Sequence, residues 1–178
     1  MRTLADADRV RRFLRELSRA AHDPARLYLT GGATAVLLGW RPTTIDVDLK
    51  LVPESDALLR AMASLKDALD LNVELASPSD FIPELPGWED RSVFVAQEGR
   101  LAVFHYDLCA QALAKIERGH TQDVMDVREM FARGLVRPGQ LRQLFTRIEP
   151  LLYRYPALSP TGFRDAVERA VREAGGDS

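Results

Sequence analysis

Two stretches decide the fold: Arg26-Leu27-Tyr28-Leu29-Thr30-Gly31-Gly32 and Ile45-Asp46-Val47-Asp48-Leu49-Lys50-Leu51-Val52. The first reads as a short strand running into a double-glycine bend. The second alternates strictly. Its aliphatic and β-branched residues fall on one side, and Asp46, Asp48 and Lys50 on the other, the pattern of a half-buried strand. Between them, residues 33–38 suit a short buried helix that Gly39 stops. Arg41-Pro42-Thr43-Thr44 is an extended entry into the second strand.

Working outward, residues 6–21 place Val10, Phe13, Leu14 and Leu17 at helical spacing, with arginines opposite, and Asp23-Pro24 ends that helix. Pro53 closes the second strand, and Ser55 is a suitable N-cap for a helix to about Leu69. Residues 71–76 alternate again and predict a third strand. Residues 77–90 hold Pro78, Pro83 and Pro86 and predict a surface loop. Residues 92–96 and 101–106 predict a hairpin turning at Glu98-Gly99.

After Asp107 the pattern is helical throughout. One helix covers 108–117. A second covers 123–133, with Val124, Val127, Met130 and Phe131 on one face and Gly134 as its stop. Leu141, Leu144, Phe145, Ile148 and Leu152 mark a third. Phe163, Ala166, Val167, Ala170 and Val171 mark a fourth, and residues 175–178 are expected to fray. The expected layout is an α/β core over residues 1–106 and a helical part over 107–178. No linker separates them, so they are expected to share one core.

Composition narrows the function. A chain of 178 residues, 46% hydrophobic and 28% charged, fits a single globular domain. The single cysteine, Cys109, excludes an internal disulfide framework and a multi-cysteine zinc site. No apolar run follows Arg2, and no stretch approaches the roughly 18 apolar residues of a membrane span. A cytoplasmic protein without membrane contact is expected. Net charge is −2, so no strong global attraction to nucleic acid is indicated. Residues 1–110 carry 13 basic and 17 acidic side chains, and residues 111–178 carry 11 and 9. That asymmetry decides nothing.

The chemistry lies in three places. Gly31-Gly32, between a strand and a helix, lets backbone approach a ligand and offers helix-start amides to a phosphate. Asp46 and Asp48 sit about 6–7 Å apart along one strand face and repel unless a cation lies between them, for which magnesium is suited. Glu74, on the next strand, can join them if the strands pair. Three carboxylates around a two-metal centre suit attack on a nucleotide α-phosphate. Asp70 and Asp80 are rivals for the third post. Singly, these features have ordinary accounts as a turn, a solvated strand face and an exposed acid; their order and spacing carry the reading. His22, His105 and His120 lack metal-ligand spacing, Cys109 has no activating partner, and Ser77 and Ser79 lack a nucleophile elbow. Trp40 and Trp88 could stack on a base, but such residues more often pack a loop.

This pattern resembles the DNA polymerase β-like nucleotidyltransferase superfamily, with Thr30-Gly31-Gly32, Asp46-Val47-Asp48 and Glu74 carrying the match. The resemblance implies a nucleotidyltransferase-like mixed β-sheet flanked by helices, with a C-terminal helical bundle. It further implies that the glycines hold a nucleoside triphosphate and the acids bind two magnesium ions. Ala33 departs from the polar residue that many relatives carry there. Gly39-Trp40-Arg41-Pro42-Thr43-Thr44-Ile45-Asp46-Val47-Asp48 also resembles the Arg-x-Thr-x-Asp-x-Asp signature of AbiEii-type nucleotidyltransferases, the toxin halves of bacterial toxin–antitoxin pairs. Thr44 keeps its place, while Arg41 stands one residue early. That resemblance implies that Lys115 contacts the triphosphate and that Asp123 or Asp126 supports the site. Residues 73–83 also look like a segment of small bacterial members of the superfamily.

The expected function is therefore magnesium-dependent transfer of a nucleotidyl group from a triphosphate to an acceptor. The resemblance implies tRNA or a protein as acceptor, and a cognate antitoxin as partner. Two other readings stand beside it. One is a catalytically silent nucleotide- or partner-binding module of the same fold. The other is an antitoxin-type enzyme that adenylylates its cognate toxin.

Overall fold

The computed structural model describes residues 2–175. The expected fraying of the tail falls mostly on residues 176–178, outside the described residues. The chain forms two compact units. One contains the residues up to Ser77 and Ser92–Tyr106; the other contains Pro78–Arg91 and everything from Asp107.

The first unit is a mixed α/β layer. Its elements are helix α1 (Ala7–Ser18), strand β1 (Ala25–Thr30), helix α2 (Gly31–Leu38), strand β2 (Asp46–Val52), helix α3 (Asp56–Ala68), and strands β3 (Asn72–Leu75), β4 (Val93–Glu98) and β5 (Leu101–His105). Sheet order is β3-β2-β1-β5-β4. β1 runs antiparallel to β2 and parallel to β5; β2 and β3 are parallel; β4 and β5 form the antiparallel hairpin. The alternation in β2 works as read: Val47, Leu49 and Leu51 are buried, while Asp46, Asp48 and Lys50 take the opposite face. The apolar face meets Val10, Phe13, Leu14 and Leu17 of α1 and Leu58 and Met62 of α3. Asp6 caps α1 through Arg9 N, and Ser55 caps α3 through Leu58 N. α2 is buried on most sides, which its small and apolar residues allow, its one polar side chain, Thr34, donating to the Leu29 carbonyl, and Gly39 ends it at φ 97°.

The second unit is helical: α4 (Trp88–Arg91), α5 (Leu108–Arg118), α6 (Thr121–Ala132), α7 (Pro138–Ile148) and α8 (Pro160–Glu173). Residues 149–154 continue α7 as a 3-10 turn beginning at Glu149-Pro150. Val127, Met130, Leu141, Leu144, Ile148, Val167 and Val171 are buried, and Phe145 meets Phe163 edge-on at 4.9 Å.

The segment read as a plain surface loop, 77–90, holds a 3-10 turn at Pro78–Asp80 and the start of α4. Ile82, Leu85 and Trp88 in it are buried. Their spacing of three was masked by the prolines. Arg91 in turn binds Asp107 through Nε and Nη2 at 3.0 and 2.9 Å, and Tyr155 Oη donates to the Ser79 carbonyl at 2.8 Å. Val124, read on one face of α6 with Val127, Met130 and Phe131, is 38% exposed. Among the described residues no helix is long and apolar enough to cross a membrane.

Candidate active site

Parallel pairing of β2 with β3 sets Asp46 opposite Asn72 and Asp48 opposite Glu74. Register partners in a parallel ladder project from the same face, and so do residues two apart. Asp46, Asp48 and Glu74 therefore share the face away from the aliphatic core. On the other side of β2, Thr30 is the register partner of Asp48, which brings the end of β1 and the start of α2 alongside.

The double glycine is explained by what crowds it. Gly31 has φ +62°, and a Cβ there would stand 3.1 Å from Asp48 Oδ2. A Cβ on Gly32 would stand 2.0 Å from Thr44 Oγ1 and 2.7 Å from Thr44 Cβ, inside any tolerable contact. Thr44 is itself buried, pairs its backbone with Ala5 at 2.8 and 2.9 Å, and donates its hydroxyl to the Asp46 carbonyl at 3.0 Å. It thus seats the start of β2 against the α2 start. Thr30 does not cap α2 with its side chain; its hydroxyl donates to the Ala76 carbonyl at 3.3 Å.

Asn72 is a residue that sequence reading missed. Its amide donates to Asp46 Oδ1 and reaches Glu74 Oε1 at 3.5 Å. The signal was available: the alternation that exposes Glu74 on β3 also exposes the residue two positions earlier. Asp70, one rival third acid, is engaged by Thr3. The Thr3 hydroxyl at 2.5 Å holds its carboxyl below the ordinary aspartate range, against desolvation, with the Thr3 amide, Arg2 and Arg9 adding to the lowering. Asp80, the other, lies in the 3-10 turn of the second unit.

Lys115 and Asp126 belong to the second unit. Lys115 is 6% exposed, and its Nζ lies 2.8 Å from Asp126 Oδ2 and 3.6 Å from Asp123 Oδ1. Asp126 also accepts from Gln122 at 3.1 Å. Asp123 accepts from Arg118 at 2.8 and 2.6 Å and from the His120 amide at 3.2 Å. Burial raises the Asp123 pKa, but Arg118, then Lys115 and the amide, outweigh it and hold the carboxyl below its ordinary value.

The remaining nucleophiles are silent. Cys109 is buried, and desolvation, with Asp107 next, pushes its thiol up to about 12. His105 is buried, with Nδ1 3.0 Å from Thr34 Oγ1, and desolvation lowers it to about 4.

The donor set suits magnesium in kind, being hard carboxylate oxygens on one sheet face beside a glycine-lined helix start. Among the described residues no three His, Cys, Asp or Glu side chains are drawn together into a metal-holding group. Magnesium commonly takes only one or two protein carboxylates and completes its shell with phosphate oxygens and water, so the Asp46–Asp48 pair fits that use.

A family model described as "Nucleotidyltransferase of unknown function (DUF6036)" matches residues 7–160. The chain belongs to this nucleotidyltransferase family. The match covers the whole first unit from α1 onward and reaches the first residue of α8. No curated protein and no solved structure matches the chain.

Proposed function

We propose that this DUF6036 member transfers a nucleotidyl group from a nucleoside triphosphate to an acceptor hydroxyl with magnesium, releasing pyrophosphate. The observation that carries the reading is the register of Asp48 with Glu74, on the face that also holds Asp46 and meets Gly31. Gly31 and Gly32 let the triphosphate come against the start of α2, where Thr30 provides no side-chain cap. Asp46 and Asp48 would hold the metal. Bound there, magnesium would neutralise phosphate charge and lower the pKa of the attacking hydroxyl. Glu74, exposed at the sheet edge, accepts the proton that the hydroxyl gives up. Thr44 fixes the spacing between the glycines and Asp46 and so shapes the nucleotide seat.

The resemblance of residues 39–48 to the AbiEii-type signature supports a place in a toxin–antitoxin pair, with tRNA or a protein as acceptor. The test is incubation with each labelled triphosphate, magnesium, and either total tRNA or cell lysate. Label should enter a macromolecule and pyrophosphate should appear. Asp46→Ala transferring at the wild-type rate would remove the assignment.

One observation favours a second reading, that of a nucleotide-binding module without catalysis. The Asn72 amide bridges toward both Asp46 and Glu74, a contact that holds those acids without a cation. Calorimetry separates the two. Nucleotide binding that persists without magnesium, together with no pyrophosphate release, establishes the module.

A further inference from the structure

Within the second unit, α5, α6 and α8 leave an open groove of about 480 Å³. Ile116 of α5 forms its floor, and Val124, Val127 and Phe131 of α6 form one wall. The other wall is Ala166, Ala170 and Ala174, a single row at four-residue spacing that extends about 12 Å along α8. Small side chains on that row let another backbone come close, while the opposite wall supplies apolar contact area.

The lips of the groove carry two arginines against one acid, Glu173, and so are net positive. Arg128 stands on the α6 side and Arg169 on the α8 side, both exposed. Among the described residues no ion pair holds Arg169. Arg128 reaches Glu173 only at 3.9 Å between exposed side chains, a loose pair that water and salt screen. A ligand seated between these lips gains most if it is apolar along its centre and acidic along its flanks.

We propose that this groove docks an amphipathic α-helix of a partner protein, with an apolar row facing Ile116 and Phe131 and acidic residues facing Arg128 and Arg169. The alanine row matches the pitch of such a helix, and the two arginines set its charge. All of its lining residues belong to the second unit.

The test uses the full chain and two synthetic helical peptides of about 18 residues. Both carry leucines at alternating three- and four-residue spacing; one is flanked by glutamates, the other by lysines. Fluorescence anisotropy should show the glutamate peptide binding at least about 10-fold more tightly. The double variant Arg128→Glu/Arg169→Glu should invert that preference, and Ala170→Trp should abolish binding of both peptides with an unchanged circular dichroism spectrum. Absence of binding, equal binding of the two peptides, or a preference that survives the charge reversal overturns the proposal. Light scattering that shows a dimer dissolved by Ala170→Trp also overturns it, because a second copy of this chain is then the occupant.

Discussion

Asp46 and Asp48 are partly buried residues on the polar face of β2, outside its aliphatic core, so replacing either acid by its isosteric amide should leave the fold intact. Asp46→Asn and Asp48→Asn should each lower nucleotidyl transfer by about 10²–10³-fold, measured as pyrophosphate release, with melting temperature unchanged. Gly32 behaves oppositely. A methyl group there meets Thr44 Oγ1 at 2.0 Å, so Gly32→Ala should cost about 1–3 kcal/mol in urea unfolding as Thr44 and its bond to Asp46 are displaced. Asp46, Asp48, Gly31 and Gly32 were legible because spacing along one strand or turn is written directly in the chain. Asn72 was passed over because an amide carries no charge to draw the eye. Its reach to Asp46 depends on strand pairing, which residue order does not state.

At the scale of elements, α5 and α6 are tied by buried charge. Lys115 is 6% exposed and Asp126 fully buried, so removing either partner strands the other. Lys115→Met should destabilise the protein by about 3–5 kcal/mol in thermal or urea unfolding. Lys115→Met with Asp126→Leu should recover part of that loss. The sheet has its own sensitive point, where His105 at the end of β5 bonds Thr34 of α2. Burial lowers this imidazole to about 4, from an unfolded value near 6.5. Between those values the unfolded chain binds more protons, so this contribution is complete above about pH 6.5 and declines as pH falls toward 4. Up to about 3 kcal/mol should be lost across that window, and His105→Gln should flatten the stability–pH curve there. Strands and helices with clean periodicity were readable, as β2 and α1 show. The helix at Trp88–Arg91 was not, because Pro78, Pro83 and Pro86 hid the spacing of Ile82, Leu85 and Trp88. The resemblance had grouped Lys115 with Asp123 or Asp126, but their direct pairing was not readable, since Asp126 lies on the next helix and only the packing of α5 with α6 brings it to 2.8 Å.

At the scale of the molecule, the family match reaches only the first residue of α8, yet Phe163, Val167 and Val171 of that helix are buried. A chain ended before Pro160 should expose the surfaces of α5 and α7, lose cooperative melting and aggregate. Phe163→Ala should cost about 3–5 kcal/mol through its lost contact with Phe145. The second unit also includes Pro78–Arg91, fastened by Arg91 to Asp107 and by Ser79 to Tyr155. The chain therefore passes from one unit to the other three times, after Ser77, Arg91 and Tyr106. A single genetic crossover can exchange neither unit whole. Any hybrid spliced only at position 106 would pair a foreign helical bundle with the host's own 78–91 segment, so the two units must be inherited, or engineered, as one interlaced set.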